Sequence, residues 1–250
     1  MHTHPIGSRR VKKLMYSMIP MTADEIRDLL EQTTLDNLQI ELESRIGPNR
    51  KDLEKGRPFQ IAKEAWEYAL ADALEWKGGK WVGHGNNPED VRVHDHVHYD
   101  VKGLSGSWTG TSSEASIKQS LKTEFRIDEN FQKENSQELW NSTVDPWIKK
   151  VFDKDNYYIS VFWRHNKDLN IRLVMFRIDA GTMPNYDSTQ CCFNPSGTTM
   201  NILNIADPTH AKIYVLKSKK RMELRIKGKF FNDAHWYVPV YDFTQTPIVE

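Results

Sequence analysis

Apolar and polar residues alternate along Asp90–Lys102. Val91, Val93, Val97, Tyr99 and Val101 are apolar, whereas Asp90, Arg92, His94, His96, His98, Asp100 and Lys102 are polar. A period of two belongs to a strand with one buried face. Asp95 breaks the alternation at its middle, so a tight turn over His94-Asp95-His96 is expected to fold the stretch into a hairpin. The spacing changes upstream. Thr22-Ala-Asp-Glu25 is a capping box opening a short helix with Ile26, Leu29 and Leu30 on one side. A second helix is expected over Leu35–Ile46, closed by Gly47-Pro48. The strongest helical period runs from about Pro58 to Trp76. Phe59, Ala62, Trp66, Ala69, Ala73 and Trp76 share its core face.

Downstream, Ser136–Val151 has a helical pattern interrupted by Pro146. Tyr157–Arg164 and Ile171–Ile178 read as strands joined by a polar turn. Ile213–Leu216 and Met222–Ile226 read as a hairpin across Lys217-Ser-Lys-Lys220, and Trp236–Phe243 as a last strand. The order of elements predicts an α/β (α+β) fold with a mixed central β-sheet flanked by helices. Residues 1–20 are read as a basic arm. Residues 21–250 are read as one domain: a helical part at 21–76, a core at 77–180 and a β-rich part at 181–250.

The 250 residues suffice for one sizeable core. No apolar run reaches the length of a membrane span, and the basic N-terminal stretch lacks the apolar region of a secretory signal. A cytoplasmic protein is therefore expected. The two cysteines are adjacent, Cys191 and Cys192, which excludes a disulfide framework and paired-cysteine zinc sites. Net charge is zero, yet basic residues cluster. Arg9, Arg10, Lys12 and Lys13 form one group. Lys212–Lys229 holds eight basic residues against the single acid Glu223. A basic face of this kind suits phosphate contacts, which dominate affinity for duplex DNA.

The hairpin makes a chemical prediction. With the turn centred on Asp95, Asp90 lies across from Asp100, and opposed Cβ atoms are about 4.5–5.5 Å apart. Lys102 projects from the same face as Asp100. Two carboxylates, with the Val101 carbonyl nearby, offer hard oxygen ligands of the kind Mg²⁺ prefers. An amine beside them can hold an attacking water and stabilise a phosphorane-like transition state.

Pro88-Glu89-Asp90 followed by Asp100-Val101-Lys102 resembles the PD-(D/E)xK nuclease superfamily, most of all the type II restriction endonucleases. The resemblance spans about residues 56–104, including Gly56 and the helix after it. It implies a restriction-endonuclease-like core with a helical N-terminal extension, and Mg²⁺-dependent hydrolysis of double-stranded DNA by a homodimer. Asp90, Asp100 and Lys102 would be catalytic, with Asp90, Asp100 and the Val101 carbonyl as metal ligands. The helix glutamate that assists the metal in many members falls at Gln60 here, so Glu64, or Glu67, is the substitute. DNA contacts are expected from Lys217, Lys219, Lys220, Arg221, Arg9, Arg10, Ser105 and Ser107, with Trp108 in the same loop as a candidate wedge.

Two other readings use the same residues. His94, His96 and His98 have the spacing of a zinc hydrolase site. Alternatively, Lys102 simply balances the two aspartates in a non-catalytic DNA-binding or structural protein.

Overall fold

The computed structural model describes residues 16–49, 55, 61–84, 87–107, 114–120, 138, 142, 146–147, 156–165, 170–180, 192–193, 199–203, 211–216, 221–232 and 236–242. The main sheet has the strand order β1 (Tyr16–Pro20), β7 (Ile171–Ala180), β6 (Tyr157–His165), β4 (Val97–Gly106), β3 (Val91–Val93), β2 (Gly79–Trp81). β12 (Val238–Tyr241) also pairs with β7. β4 and β6 run parallel, and every other neighbour in this sheet is antiparallel. The fold is thus mixed α/β, with a mostly antiparallel sheet and helices against it.

Two helices cover one face. α1 (Ala23–Ile46) starts at the reciprocal capping box of Thr22 and Glu25 and buries Ile26, Leu30, Leu38, Leu42 and Ile46. Glu31 sits at φ 59°, ψ 155° and splits it into two helical segments, which matches the two helices the spacing predicts. α2 (Lys63–Ala73) buries Trp66, Ala69, Leu70 and Ala73. α1 packs on α2 and β12, α2 packs on β2, β3 and β4, and the two helices share one core with Val91, Val93, Tyr99, Val101, Phe162, Leu173 and Met175. The other face of β6 and β7 is also covered. Trp163 meets Phe231 at 5.5 Å and Phe176 meets Phe230 at 5.3 Å, both from α3 (Gly228–Asn232). Burial on two faces explains why β6 reads as a continuous apolar run instead of an alternation.

A second, antiparallel sheet has the order β5 (Glu114–Ser120), β11 (Arg221–Lys227), β10 (Ala211–Leu216), β9 (Thr199–Leu203), β8 (Cys192–Phe193). The β10–β11 hairpin is the one expected across Lys217–Lys220.

Several expectations are corrected. The segment read as an arm ends in strand β1, because Tyr16–Pro20 pairs with Phe176–Ala180 at the sheet edge. α2 is shorter than the predicted 58–76 helix, and Trp76 is not core. It lies in a 3₁₀ turn at Glu75–Lys77, 47% exposed, with its ring N–H donating to Thr34 Oγ1 at 2.9 Å. The turn rotates Trp76 off the apolar stripe that Trp66 keeps. The boundary near 180 is crossed twice: β5 joins the second sheet, and β12 returns to the first. Among the described residues no helix is long and apolar enough to cross a membrane. Phe59, Gln60 and most of Ser136–Val151 lie outside the described residues.

Candidate active site

The hairpin turns at His94–Asp95–His96, with His94 at φ 51°. Its register pairs Val93 with Val97, Arg92 with His98 and Val91 with Tyr99. One step further the ladder is irregular. The Asp90 N–H donates to Tyr99 O at 2.9 Å, so Asp90 and Val91 both face Tyr99. Two residues opposite one is the arrangement of a β-bulge, which re-aims a side chain. The expected face-to-face pairing of Asp90 with Asp100 is therefore modified. Asp90 instead turns its Oδ2 to the Val101 N–H, accepting a bond at 2.8 Å.

The predicted trio nevertheless converges. Lys102 Nζ donates to Asp100 Oδ1, to Asp90 Oδ2 at 3.4 Å and to Val101 O at 3.2 Å. These three acceptors match the three donors of an ammonium. Tyr99 and Val101 point into the helix-packed core. Asp100 and Lys102 alternate to the opposite face, beside Ile159 and Val161 in register. Asp100 is 2% exposed and Asp90 9%.

Burial pushes the Asp100 carboxyl up to about 7, against the attraction of the Lys102 ammonium and with help from the neighbouring Asp90. Burial alone would lower the Lys102 amine. The Asp100 and Asp90 carboxylates outweigh it and leave the amine above its ordinary value. Asp100 Oδ2 is buried with no hydrogen-bond partner. A buried carboxylate oxygen is costly to leave unsatisfied, so this atom marks where a cation or donor fits.

A second polar group borders the trio. Glu89, 1% exposed, accepts from Arg92 through both Nε, at 3.0 Å, and Nη2. His98 Nδ1 lies 3.3 Å from the same Glu89 oxygen. Tyr157 donates its hydroxyl to Pro88 O at 2.9 Å and stacks on His98. Burial, then Asp100, Asp90 and Glu89, raise the Tyr157 hydroxyl well above its ordinary value. Sequence spacing did not single out Glu89, Arg92 or Tyr157. The signal for Arg92 was its place in the same alternation as Asp90 and Asp100.

The other expected site residues lie elsewhere. Glu64 is exposed in the first turn of α2. Glu67 is buried on α2 and engaged by Trp81 Nε1 at 3.0 Å and Lys63 Nζ at 3.0 Å. His94 and His96 are exposed in the turn, apart from the half-buried His98. Among the described residues no group of three or more His, Cys, Asp or Glu side chains is arranged to hold a metal ion. The zinc reading therefore loses its convergent histidines.

Ser105 is exposed near the end of β4, and Ser107 follows it. Arg221 begins β11, 4.0 Å from Glu223, and Arg225 is held by the same buried acid at 3.0 Å. Arg9, Arg10, Trp108, Lys217, Lys219 and Lys220 lie outside the described residues.

The chain matches no protein-family model, no curated protein and no solved structure.

Proposed function

We propose that this chain is an Mg²⁺-dependent endodeoxyribonuclease of the PD-(D/E)xK type acting on double-stranded DNA. The observation that carries the reading is one amine held between two buried carboxylates, one of which keeps an unpartnered oxygen. Charge, donor type and spacing all suit phosphodiester hydrolysis.

The donor set fits a hard divalent cation. Asp90, Asp100 and the Val101 carbonyl are oxygen ligands, and Mg²⁺ is commonly held by one or two carboxylates with water and phosphate completing its shell. Bound there, Mg²⁺ would neutralise phosphate charge and acidify a water. The rest falls to the chain itself. Lys102 holds the attacking water by hydrogen bonding and stabilises negative charge developing on the phosphoryl oxygens. Asp90, tied to the Val101 N–H, fixes the strand end that presents both acids. Glu89 anchors Arg92 two residues from Asp90 on the same face, where a guanidinium suits a phosphate oxygen.

A restriction-type role, a homodimer on a two-fold symmetric site and a cytoplasmic setting follow from the family resemblance and belong to this proposal. Plasmid digestion with Mg²⁺ tests it, comparing wild type with Asp100→Ala and Lys102→Ala. Cleavage by wild type, lost in both variants, is the expected result. Intact plasmid across a range of salts and divalent ions would remove the enzymatic reading. A salt-dependent gel shift without cleavage would point to a DNA-binding module instead.

A further inference from the structure

Beyond the carboxylates, the parallel pair β4–β6 ends in a cleft of about 210 Å³ lined by Ile61, Trp66, Gly103, Leu104, Ser105 and Arg164. That volume is many times what one water requires. Ser105 and Arg164 are register partners across the two strands, so a hydroxyl and a guanidinium come from adjacent positions. The cleft has a firm wall, since Trp66 stacks on Phe162 at 5.3 Å and lies against Gly103. A Cβ at Gly103 would meet Trp66 Nε1 at 2.4 Å.

Arg164 is the unusual member. It is half-buried, and burial alone holds its guanidinium below the ordinary value, with no carboxylate acting on it. Among the described residues its side chain makes no ion pair, hydrogen bond or ring contact. Other arginines are matched: Arg92 beside the aspartates by Glu89, and Arg225 in the second sheet by Glu223. Partly desolvating a cation without a counter-charge is unfavourable, and a guanidinium presents a planar fork of donors suited to phosphate.

We propose that this cleft is a phosphate-binding subsite, with Arg164 as its anchor and Ser105 beside it. The cleft opens on the helix side of β4, the reverse of the face that carries Asp100 and Lys102, so the phosphate belongs to a nucleic-acid strand that passes the end of β4 and is not the scissile one. This rests on the nuclease reading for the source of the phosphate, though not for the anion site itself.

Two measurements on the full chain test it. The first uses a fluorescein-labelled 20-bp duplex and the cleavage-deficient Asp100→Asn protein, with and without Arg164→Ala, titrated across salt concentrations. Binding is expected to weaken roughly tenfold or more, and the salt dependence to lose about one counterion's worth of slope. Arg164→Lys should recover part of the affinity, since it keeps the charge and loses the fork. The second follows thermal unfolding in inorganic phosphate. Wild type should be stabilised by phosphate, and Arg164→Ala should not respond, while melting as wild type does without phosphate because no ion pair is lost.

Unchanged duplex affinity and an unchanged phosphate response in Arg164→Ala would overturn the subsite. Should the duplex bind nowhere while the phosphate response still needs Arg164, the anion site stands and the nuclease reading falls. If Arg164→Ala fails to fold, Arg164→Lys and Arg164→Gln carry both comparisons. Equal duplex affinity and phosphate response in those two would count against the proposal.

Discussion

The backbone N–H of Val101 is held by the side chain of Asp90, at 2.8 Å from Oδ2. One acid thereby serves two purposes: it finishes the strand pairing that the bulge interrupts, and it faces Lys102. Asp90 and Asp100 should therefore respond differently to mutation. Asp90→Ala leaves a buried N–H unsatisfied, which costs about 1–3 kcal/mol. Asp100→Asn removes a buried charge and should cost less. Urea unfolding of the two variants checks the ranking, and equal losses would contradict it.

Lys102 is the counter-charge for both acids. Lys102→Met strands two carboxylates in a nearly dry site, and breaking a buried pair from one side costs about 3–5 kcal/mol. Adding Asp100→Asn to Lys102→Met should recover much of that loss. A double-mutant cycle by chemical unfolding measures the recovery, and strict additivity would mean that the contact is energetically idle.

The Asp100 carboxyl gives the metal-free protein a pH signature. Its folded value, near 7, lies above that of an unfolded chain, so the folded state holds this proton more tightly. Its contribution to stability is complete below the unfolded value and is lost as pH rises through about 7. Lys102, raised from an already high value, loses its contribution only at alkaline pH and adds no slope below it. The melting temperature without divalent ions is expected to fall between pH 5 and 8, and this part of the fall to vanish in Asp100→Asn. A slope identical in both proteins would exclude Asp100 as its source.

Mg²⁺ should oppose that fall. A ligand that binds only the folded state adds about 2.7 kcal/mol at a hundredfold excess over its Kd. Because the ion competes with the Asp100 proton, stabilisation should be larger at pH 8 than at pH 5. Asp100→Ala should remove it. Thermal shifts in Mg²⁺ against EDTA provide the check, and a pH-independent shift surviving in Asp100→Ala would locate the ion elsewhere.

Gly103 is required by packing. An added methyl would come within 2.4 Å of the Trp66 indole nitrogen, and Trp66 is fixed by its stack on Phe162. Gly103→Ala should destabilise the chain by about 1–3 kcal/mol, read from its urea midpoint. Trp76→Ala, by contrast, should cost little beyond the hydrogen bond to Thr34.

The alternation over 90–102 made the hairpin and the meeting of Asp90, Asp100 and Lys102 legible, because side-chain direction in a strand follows from position alone. The bulge at Asp90 was not legible, since it depends on which backbone donors the neighbouring strands leave open. Glu89 was hidden for the same reason: outside the alternation, only tertiary packing buries it against Arg92 and His98. Trp66 and Trp76 share a helical spacing, yet the helix ends at Ala73 and only one of them reaches the core. Strands β1 and β5 were missed because edge and late-pairing segments carry weak apolar patterns. Their partners lie far along the chain.

β4 presents Val101 to the helices while Asp100 and Lys102 occupy the reverse side. A slip of one residue would push an acid and an amine under α2 and throw the valine outward. The arrangement thus acts as a proofreading device on strand alignment: a mispaired hairpin loses its packing and separates Asp100 and Lys102 from Asp90 at the same time. Deleting one residue between the turn and Asp100 should leave a chain without a cooperative urea transition.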